Sequence, residues 1–499
     1  MFAGLDIGNT NAKFSIYYHD GRVFAETSER YDQVKTSNRI SAENVWNTIC
    51  RIVRKAAAQL ATGQNISAMA VTTFGEAVIP IDRNGKILCD PFTGNAVEGE
   101  AELKQILLHI SGERIWEITG LLPHKRFPLV KILWYRQHTG IYGKAYKFLQ
   151  MEDFVLYKLT GNYVVSDSSA SRSMAYDRKK HCWSGELLKI AEIDEDKLSE
   201  IIPSGSFAGN ICTSALEELG LSGKIKMYAG GHDQMCNVVG SGILDSNALL
   251  NCSGTVECIS GVAELKTGEN MRTKLSLQLL PFPMENKTFY FWAPVSGCSS
   301  LDWEARILNQ LPSVSAGGPE EMGEIHTAMQ KRCTKNPARV ITIPYFTGRN
   351  YPDISDKAKS VIWGMELSTE AWEIYQSLME GIAFEIRICR DRLRLLVKDI
   401  QEVTAAGGGA KSDYWLQMKS NILGCTLKRL RHAQSGTMGC MLLAAVGEGY
   451  YTSLAEASEV CIKTGKIFYP EPQYKMLYDE KYNQYLELRN CVSAIQQEK

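Results

Sequence analysis

Four short stretches of this 499-residue chain carry side chains suited to handling a phosphate chain beside an attacking hydroxyl. The first is GLDIGNTNAK, residues 4 to 13. Asp6 interrupts an apolar run, Gly8, Asn9, Thr10 and Asn11 form a turn, and Lys13 follows. The tip of that hairpin offers backbone N–H groups, a hydroxyl, two amides and an ammonium, with one acid at its base to handle a metal. The second is Ser253-Gly254-Thr255, between apolar segments 248–252 and 256–260. The third is Gly407-Gly408-Gly409-Ala410, after a strand and before a helix, an arrangement that lets backbone approach a nucleotide. The fourth is GGHDQ, residues 230 to 234, which places Asp233 at the end of a strand. Phosphoryl transfer asks for cradled phosphates, a divalent cation and one carboxylate to take the acceptor's proton. Asp6 suits the metal role and Asp233 the base. Taken singly, each residue also has a plain structural use: Asp6 as a buried hairpin acid, Asp233 as a helix cap, His232 as an orienting or core histidine.

Strands and helices must alternate to hold these loops. Val45, Ile49, Ile52, Val53, Ala56 and Leu60 line one face of a helix over 41–61, and strands follow at 66–72 and 77–81. Residues 98–160 read as mainly helical, 161–185 as polar loop, and 186–220 as a helix pair. A long helix is expected from Ser368, as N-cap, to about Leu396. Further helices are expected from Ser412 to Gly424 and from Thr437 to Ala445, then an amphipathic helical tail over the last 45 residues. The strand, glycine turn, strand pattern of residues 4–17 recurs at 248–260, which suggests two similar halves. The pattern predicts an α/β protein with domains at 1–244 and 245–499.

Composition narrows the partners. Hydrophobic residues make up 44% and charged residues 22%, with a net charge of −1, so no basic face for nucleic acid or an anionic membrane is implied. The fourteen cysteines form no C-x-x-C pair and read as reduced thiols of a cytoplasmic protein. There is no charged leader followed by an apolar run and no long apolar stretch, so neither a signal peptide nor a membrane span is expected. No G-x-x-x-x-G-K-[ST] occurs: GGGAKS at 407–412 has Ala410 before its lysine. Dinucleotide, zinc-protease and hydrolase motifs are absent as well.

GLDIGNTNAK, PLVKILW, GGHDQ, CSGTVE, PYFTGRNYP, EGIAFEIR and GGGAKSDYWLQ stand in the order found in the FGGY family of carbohydrate kinases. The resemblance runs from residue 4 to about Gly449. It implies two ribonuclease-H-like domains of the actin, hexokinase and heat-shock-chaperone superfamily, with a cleft between them that closes over ATP and a sugar. By the same resemblance Asp233 is the catalytic base and Asp6 the acid associated with Mg2+. Gly8, Asn9, Thr10, Asn11 and Lys13 form the first phosphate loop, and Ser253, Gly254 and Thr255 the second. Gly408, Gly409 and Ala410 form the adenosine loop, and Gly297 borders ATP. Gly75, Glu76, His232, Asp233 and Gln234 are the expected substrate contacts.

The departures concern the sugar. Many relatives carry Trp-x-Asp-x-Arg where this chain reads DPFTGNAVEGE, residues 90–100, so no contacts carry over there. TTFGEA, residues 72–77, is similar to a segment of kinases for deoxy-ketoses such as fuculose. A usual Glu near the start of the final helix is replaced by Gln434. The expected activity is ATP- and Mg2+-dependent phosphorylation of a ketose, deoxy-ketose or polyol, of fuculose- or xylulose-kinase type. The rival is a nucleotide-switched regulatory protein of the same superfamily. A sugar-acid kinase would need a cation for the carboxylate, and the sequence points to none. The partner is then a small sugar, with no nucleic acid and no membrane, and the resemblance allows a homodimer.

Overall fold

The computed structural model describes residues 1–31, 38–92, 96–264, 277–308, 319–350, 352–355, 357–397, 400–432 and 434–497. The chain divides into two units. The first comprises Met1–Leu244, Gln278–Tyr290 and Gln434–Ile462; the second comprises Asp245–Leu277, Phe291–Ala433 and Lys463–Lys499.

The first unit is built on a six-stranded sheet. Its strands are β1 (Phe2–Ile7), β2 (Asn11–Tyr17), β3 (Val23–Arg30), β4 (Ala68–Thr73), β5 (Phe207–Asn210) and β6 (Lys226–His232). Their order is β5-β6-β4-β1-β2-β3. β1 turns back antiparallel on β2 and runs parallel to β4, which is parallel in turn to β6. Because side chains alternate along a strand, Ala3, Leu5 and Ile7 share one face of β1. They join the core that contains Val45, Ile49, Ile52 and Val53 of α1 (Ala42–Ala57). Ser41 caps α1, its hydroxyl accepting from Asn44 N at 3.2 Å. Gly4 and Asp6 point to the other face, towards the helix Ser435–Gly447. That helix lies so close that a Cβ on Gly4 would stand 2.0 Å from Thr437 O. Another helix, α2 (Asp233–Gly240), packs on it just as tightly, since a Cβ on Gly439 would stand 2.0 Å from Cys236 O.

In the second unit β7 (Ala248–Ser253) and β8 (Val256–Ala263) form an antiparallel hairpin. β7 runs parallel to β9 (Glu402–Ala406), β9 is parallel to β10 (Thr426–Leu430), and β10 is antiparallel to β11 (Thr464–Phe468). A hairpin whose first strand heads two further parallel strands is the arrangement of β1, β4 and β6, so the repeated sequence pattern has a repeated topology. The long helix is α3 (Ala371–Leu393), and α4 (Asp413–Leu423) follows β9. Ser412 caps the start of α4, and Gly424 ends it in the left-handed conformation (φ 60°) that glycine adopts freely.

Several expectations need correction. The second domain is not the uninterrupted 245–499, because 278–290 and 434–462 pack in the first unit. Ser368 does not cap α3; Glu370 does, in a reciprocal capping box with Glu373. Between 186 and 220 two short strands, Glu200–Ile202 and Phe207–Asn210, separate the two helices. The stretch 161–185 holds short strands and a helical turn, Asp167–Ala170, besides loop. The tail is the helix Leu454–Cys461, strand β11 and the helix Pro472–Gln497. None of the fourteen cysteines is joined in a disulfide. Among the described residues no helix is long and apolar enough to cross a membrane.

Candidate active site

The carboxyl ends of β1, β4 and β6 come together in the first unit. Ile7 pairs with Thr73, and Thr73 with His232. Ligands of open parallel sheets gather at such ends. The register of β6 shifts between Ala229 and Gly231, and a Cβ on Gly230 would stand 2.1 Å from Val71 O, so only glycine lets the strands close here. The irregularity sets the direction in which His232 and Asp233 leave the strand. Ser168 Oγ accepts from His232 N at 3.2 Å, and Thr72 Oγ1 donates to Gly231 O at 2.8 Å, which fixes the turn. Asp233 is then the first residue of α2, with His232 in the capping position.

The electrostatics separate the ionisable groups. Burial first, then the charges of Asp6 and Glu76, push the Asp233 carboxyl up to about 7. His232 Nε2 lies 3.3 Å from Asp233 Oδ1. Burial and the Arg172 cation push that imidazole down to about 3, so the contact is with a neutral ring. Glu76 behaves in the opposite way. Burial works to raise it, but Arg172, then His232 and Arg126, hold its carboxyl at about 2. Arg172 Nη2 is paired directly with Glu76 Oε1, and its Nη1 donates to Gln278 Oε1. Gly75, beside Glu76, fits closely on the Arg172 stem, 3.1 Å from where its Cβ would lie. Gln234 follows Asp233, and its Oε1 is buried with no partner among the described residues.

The first hairpin tip closes through Gly8 N donating to Asn11 O at 3.0 Å, with Asn9 and Thr10 exposed. Lys13 is the register partner of Asp6, and its Nζ stands 3.6 Å from Asp6 Oδ2. A Cβ on Gly436 would stand 2.8 Å from the same oxygen, so a glycine at the head of the neighbouring helix keeps the Asp6 carboxylate clear. Gln434 precedes that helix, its carbonyl accepting from Met438 N at 3.1 Å.

The second unit collects the remaining candidates. Gly407 (φ 81°) sits where a Cβ would meet Ser253 O at 2.5 Å, and Gly409 where one would meet Ser253 Cβ at 2.6 Å. Gly408 and Ala410 share the same turn, in which Ala410 N donates to Gly407 O at 3.2 Å. Gly297 N donates to Thr255 O at 2.9 Å and Cys298 N to Gly254 O at 2.8 Å. The β7–β8 tip, Gly297 and the glycine loop are therefore one cluster.

Beneath it lies a network that the sequence did not announce. Lys419 Nζ and Glu257 Oε1 pair at 2.6 Å with both side chains fully buried. Lys419 also donates to Asn251 Oδ1 at 2.8 Å and Ser253 Oγ at 2.7 Å, and lies 3.9 Å from the Trp415 ring centroid. Ser253 Oγ in turn donates to Glu257 Oε1 at 2.8 Å. The Ser253 hydroxyl is thus engaged inside the fold. Arg172, like Lys419, went unnoticed in the sequence. Its partner Glu76 is 96 positions away, and nothing in the polar segment SASRSMAY distinguishes it.

The residues fit a magnesium ion carried in on a nucleotide. Mg2+ usually takes one or two protein carboxylates and draws its other ligands from phosphate and water. Asp6, kept open by Gly436, is such a carboxylate. Among the described residues no group of three or more His, Cys, Asp or Glu could hold a metal by itself.

Comparison with known proteins places the chain among sugar kinases. The profile described as "FGGY family of carbohydrate kinases, N-terminal domain" matches residues 1–240, and that of the C-terminal domain matches residues 301–448. A xylulose kinase of Bacillus subtilis (strain 168) is 25% identical over 502 aligned residues, covering 99% of this chain and 98% of that protein. The crystal structure of a ligand-bound xylulose kinase from Lactobacillus acidophilus superposes with a TM-score of 0.88 at 20% identity, covering 100% of this chain and 99% of the other. A gluconate kinase from the same organism gives 0.87 at 20% identity, with the same coverage.

Proposed function

The chain belongs to the FGGY family of carbohydrate kinases and is a sugar kinase, and from that premise we propose that it phosphorylates a hydroxyl of a ketose, deoxy-ketose or polyol with Asp233 as general base. The observation that carries this reading is the setting of Asp233. It is a carboxylate at the end of three parallel strands, pushed up to about 7, with ionised Glu76 and neutral His232 beside it. A base that titrates near working pH combines a useful ionised fraction with a useful proton affinity. Asp233 takes the proton of the acceptor hydroxyl as that oxygen attacks the γ-phosphorus of ATP. Gln234 Oε1, buried and without a partner among the described residues, accepts from a second hydroxyl. Gly8, Asn9, Thr10, Asn11 and Lys13 bind phosphate in the first unit. In the second, Ser253, Gly254 and Thr255 do so, while Gly408, Gly409 and Ala410 support the adenosine beside Gly297. Asp6 would hold the Mg2+, which would neutralise phosphate charge on the bound nucleotide. The xylulose kinase relative, aligned over nearly the whole of both chains, favours a ketose within this class.

The test is ADP formation from Mg-ATP across ketoses, deoxy-ketoses, polyols and aldonates. The expected result is one neutral acceptor with turnover well above the rest. Turnover with an aldonate alone, or with none of them, contradicts the acceptor class.

A further inference from the structure

A buried arginine beside a catalytic carboxylate is the group a sugar acid would use. In this chain that arginine is already taken. Arg172 is 2% exposed, lies 5.3 Å from the Phe127 ring centroid, and is bound to Glu76 and to Gln278. Glu76 reaches it from a left-handed backbone (φ 67°), a conformation costly for a glutamate and concentrated at functional sites. Such a conformation persists only where the surroundings enforce it, and the guanidinium is the evident enforcer. The two charges cancel beside Asp233. Of the charges left around Asp233, Asp6 is a carboxylate that opposes its ionisation. A second cation, Arg126, acts on Glu76 but is turned to His124, with its Nε 3.1 Å from the ring Nδ1.

We propose that Glu76 determines acceptor charge: by occupying Arg172 it reserves the site for an uncharged sugar, and without its carboxylate the site accepts the carboxylate of a sugar acid. This rests on the reading that the acceptor lies beside Asp233. Glu76 acts as a specificity residue through two effects. It keeps Arg172, a deeply buried cation, from the reach of an anionic ligand, and its own carboxylate fills the place that such a ligand's carboxylate would take. A ligand carboxylate in the vacated space would pair with Arg172 in the bidentate manner that guanidinium favours.

The test uses Glu76→Gly, since glycine takes the left-handed backbone without strain. Thermal unfolding is followed in sodium chloride, sodium acetate and sodium D-gluconate at equal ionic strength. Acetate and gluconate are expected to raise the variant's Tm by about 3 °C or more over chloride, as ligands that bind only the folded state. Wild type should show no such preference. Gluconate-dependent ADP formation should rise at least about tenfold over wild type, the scale of one recovered charged contact. Equal carboxylate responses in both proteins overturn the proposal, as does a wild type that phosphorylates gluconate as well as a neutral sugar. If Glu76→Gly does not fold, the variant combined with Arg172→Met removes both charges. It is expected to fold and ignore carboxylates, and a carboxylate response in that double variant overturns the proposal. The unfolding measurement needs no turnover. Selective stabilisation of Glu76→Gly by acetate therefore supports the role of Glu76 even if wild type phosphorylates no neutral sugar, in which case only the acceptor reading falls.

Discussion

Asp233 has an uncommon kind of shift for an aspartate, and its sign has consequences. Its carboxyl is raised from 3.8 to about 7 in the folded chain, by burial first and then by Asp6 and Glu76. Between those values the folded protein binds a proton that the unfolded chain does not. Stability from this group is therefore full below about pH 4 and is lost as pH rises through 7. Asp233→Asn keeps the shape without the charge. Its unfolding free energy should exceed that of wild type at pH 8, by up to about 4 kcal/mol for a shift of this size. The difference should fall to less than half by pH 5 and vanish only near pH 4, where the unfolded aspartate is protonated as well. Denaturant titrations of both proteins at the two pH values check this, and an advantage that is greater at pH 5 contradicts it. Asp6, Asp233 and the glycine loops were legible in the sequence because their chemistry is local: turn residues and an acid within a few positions of one another. Arg172 was not legible, because a buried arginine is written like an exposed one until the fold brings Glu76 to it.

At the scale of elements, the β7–β8 hairpin is tied to α4 by one lysine. Lys419 is fully buried, with Glu257, Asn251 and Ser253 as its partners. Breaking a buried ion pair leaves an uncompensated charge, so Lys419→Met should cost about 3–5 kcal/mol. Replacing both partners, Lys419→Met with Glu257→Leu, should recover part of that loss, because no lone charge then stays buried. Equilibrium unfolding in urea measures both, and a double variant weaker than the single contradicts the account. Helix periodicity gave no hint of Lys419, since a lysine on a helix ordinarily marks a solvated face. The cap of α3 shows the same limit: Ser368 has the right residue type, but the reciprocal pairing of Glu370 and Glu373 decides where the helix starts. The hairpins at both glycine tips were legible because turn residues flanked by apolar alternation define them locally.

For the whole molecule, the sequence shows where the chain first changes unit but not that it returns. Leu244 closes the first segment of the first unit, yet 278–290 and 434–462 belong to that unit as well. The helix Ser435–Gly447 returns because Gly436 and Gly439 let it lie against Asp6 and α2, a fit invisible without both surfaces. Neither unit is a single stretch of chain, so function is best tested on the intact protein. The direct measurement is the initial rate of ADP formation by intact wild type and Asp233→Asn, with the preferred acceptor, across pH. General-base catalysis is typically worth about 10²- to 10⁴-fold, so the variant should lose that much kcat while its KM for ATP stays near wild type. Wild-type kcat/KM should climb with pH and level off above about 7, where Asp233 is ionised. A variant within tenfold of wild type, or a wild-type profile flat through that range, would contradict the assignment of Asp233 as the base.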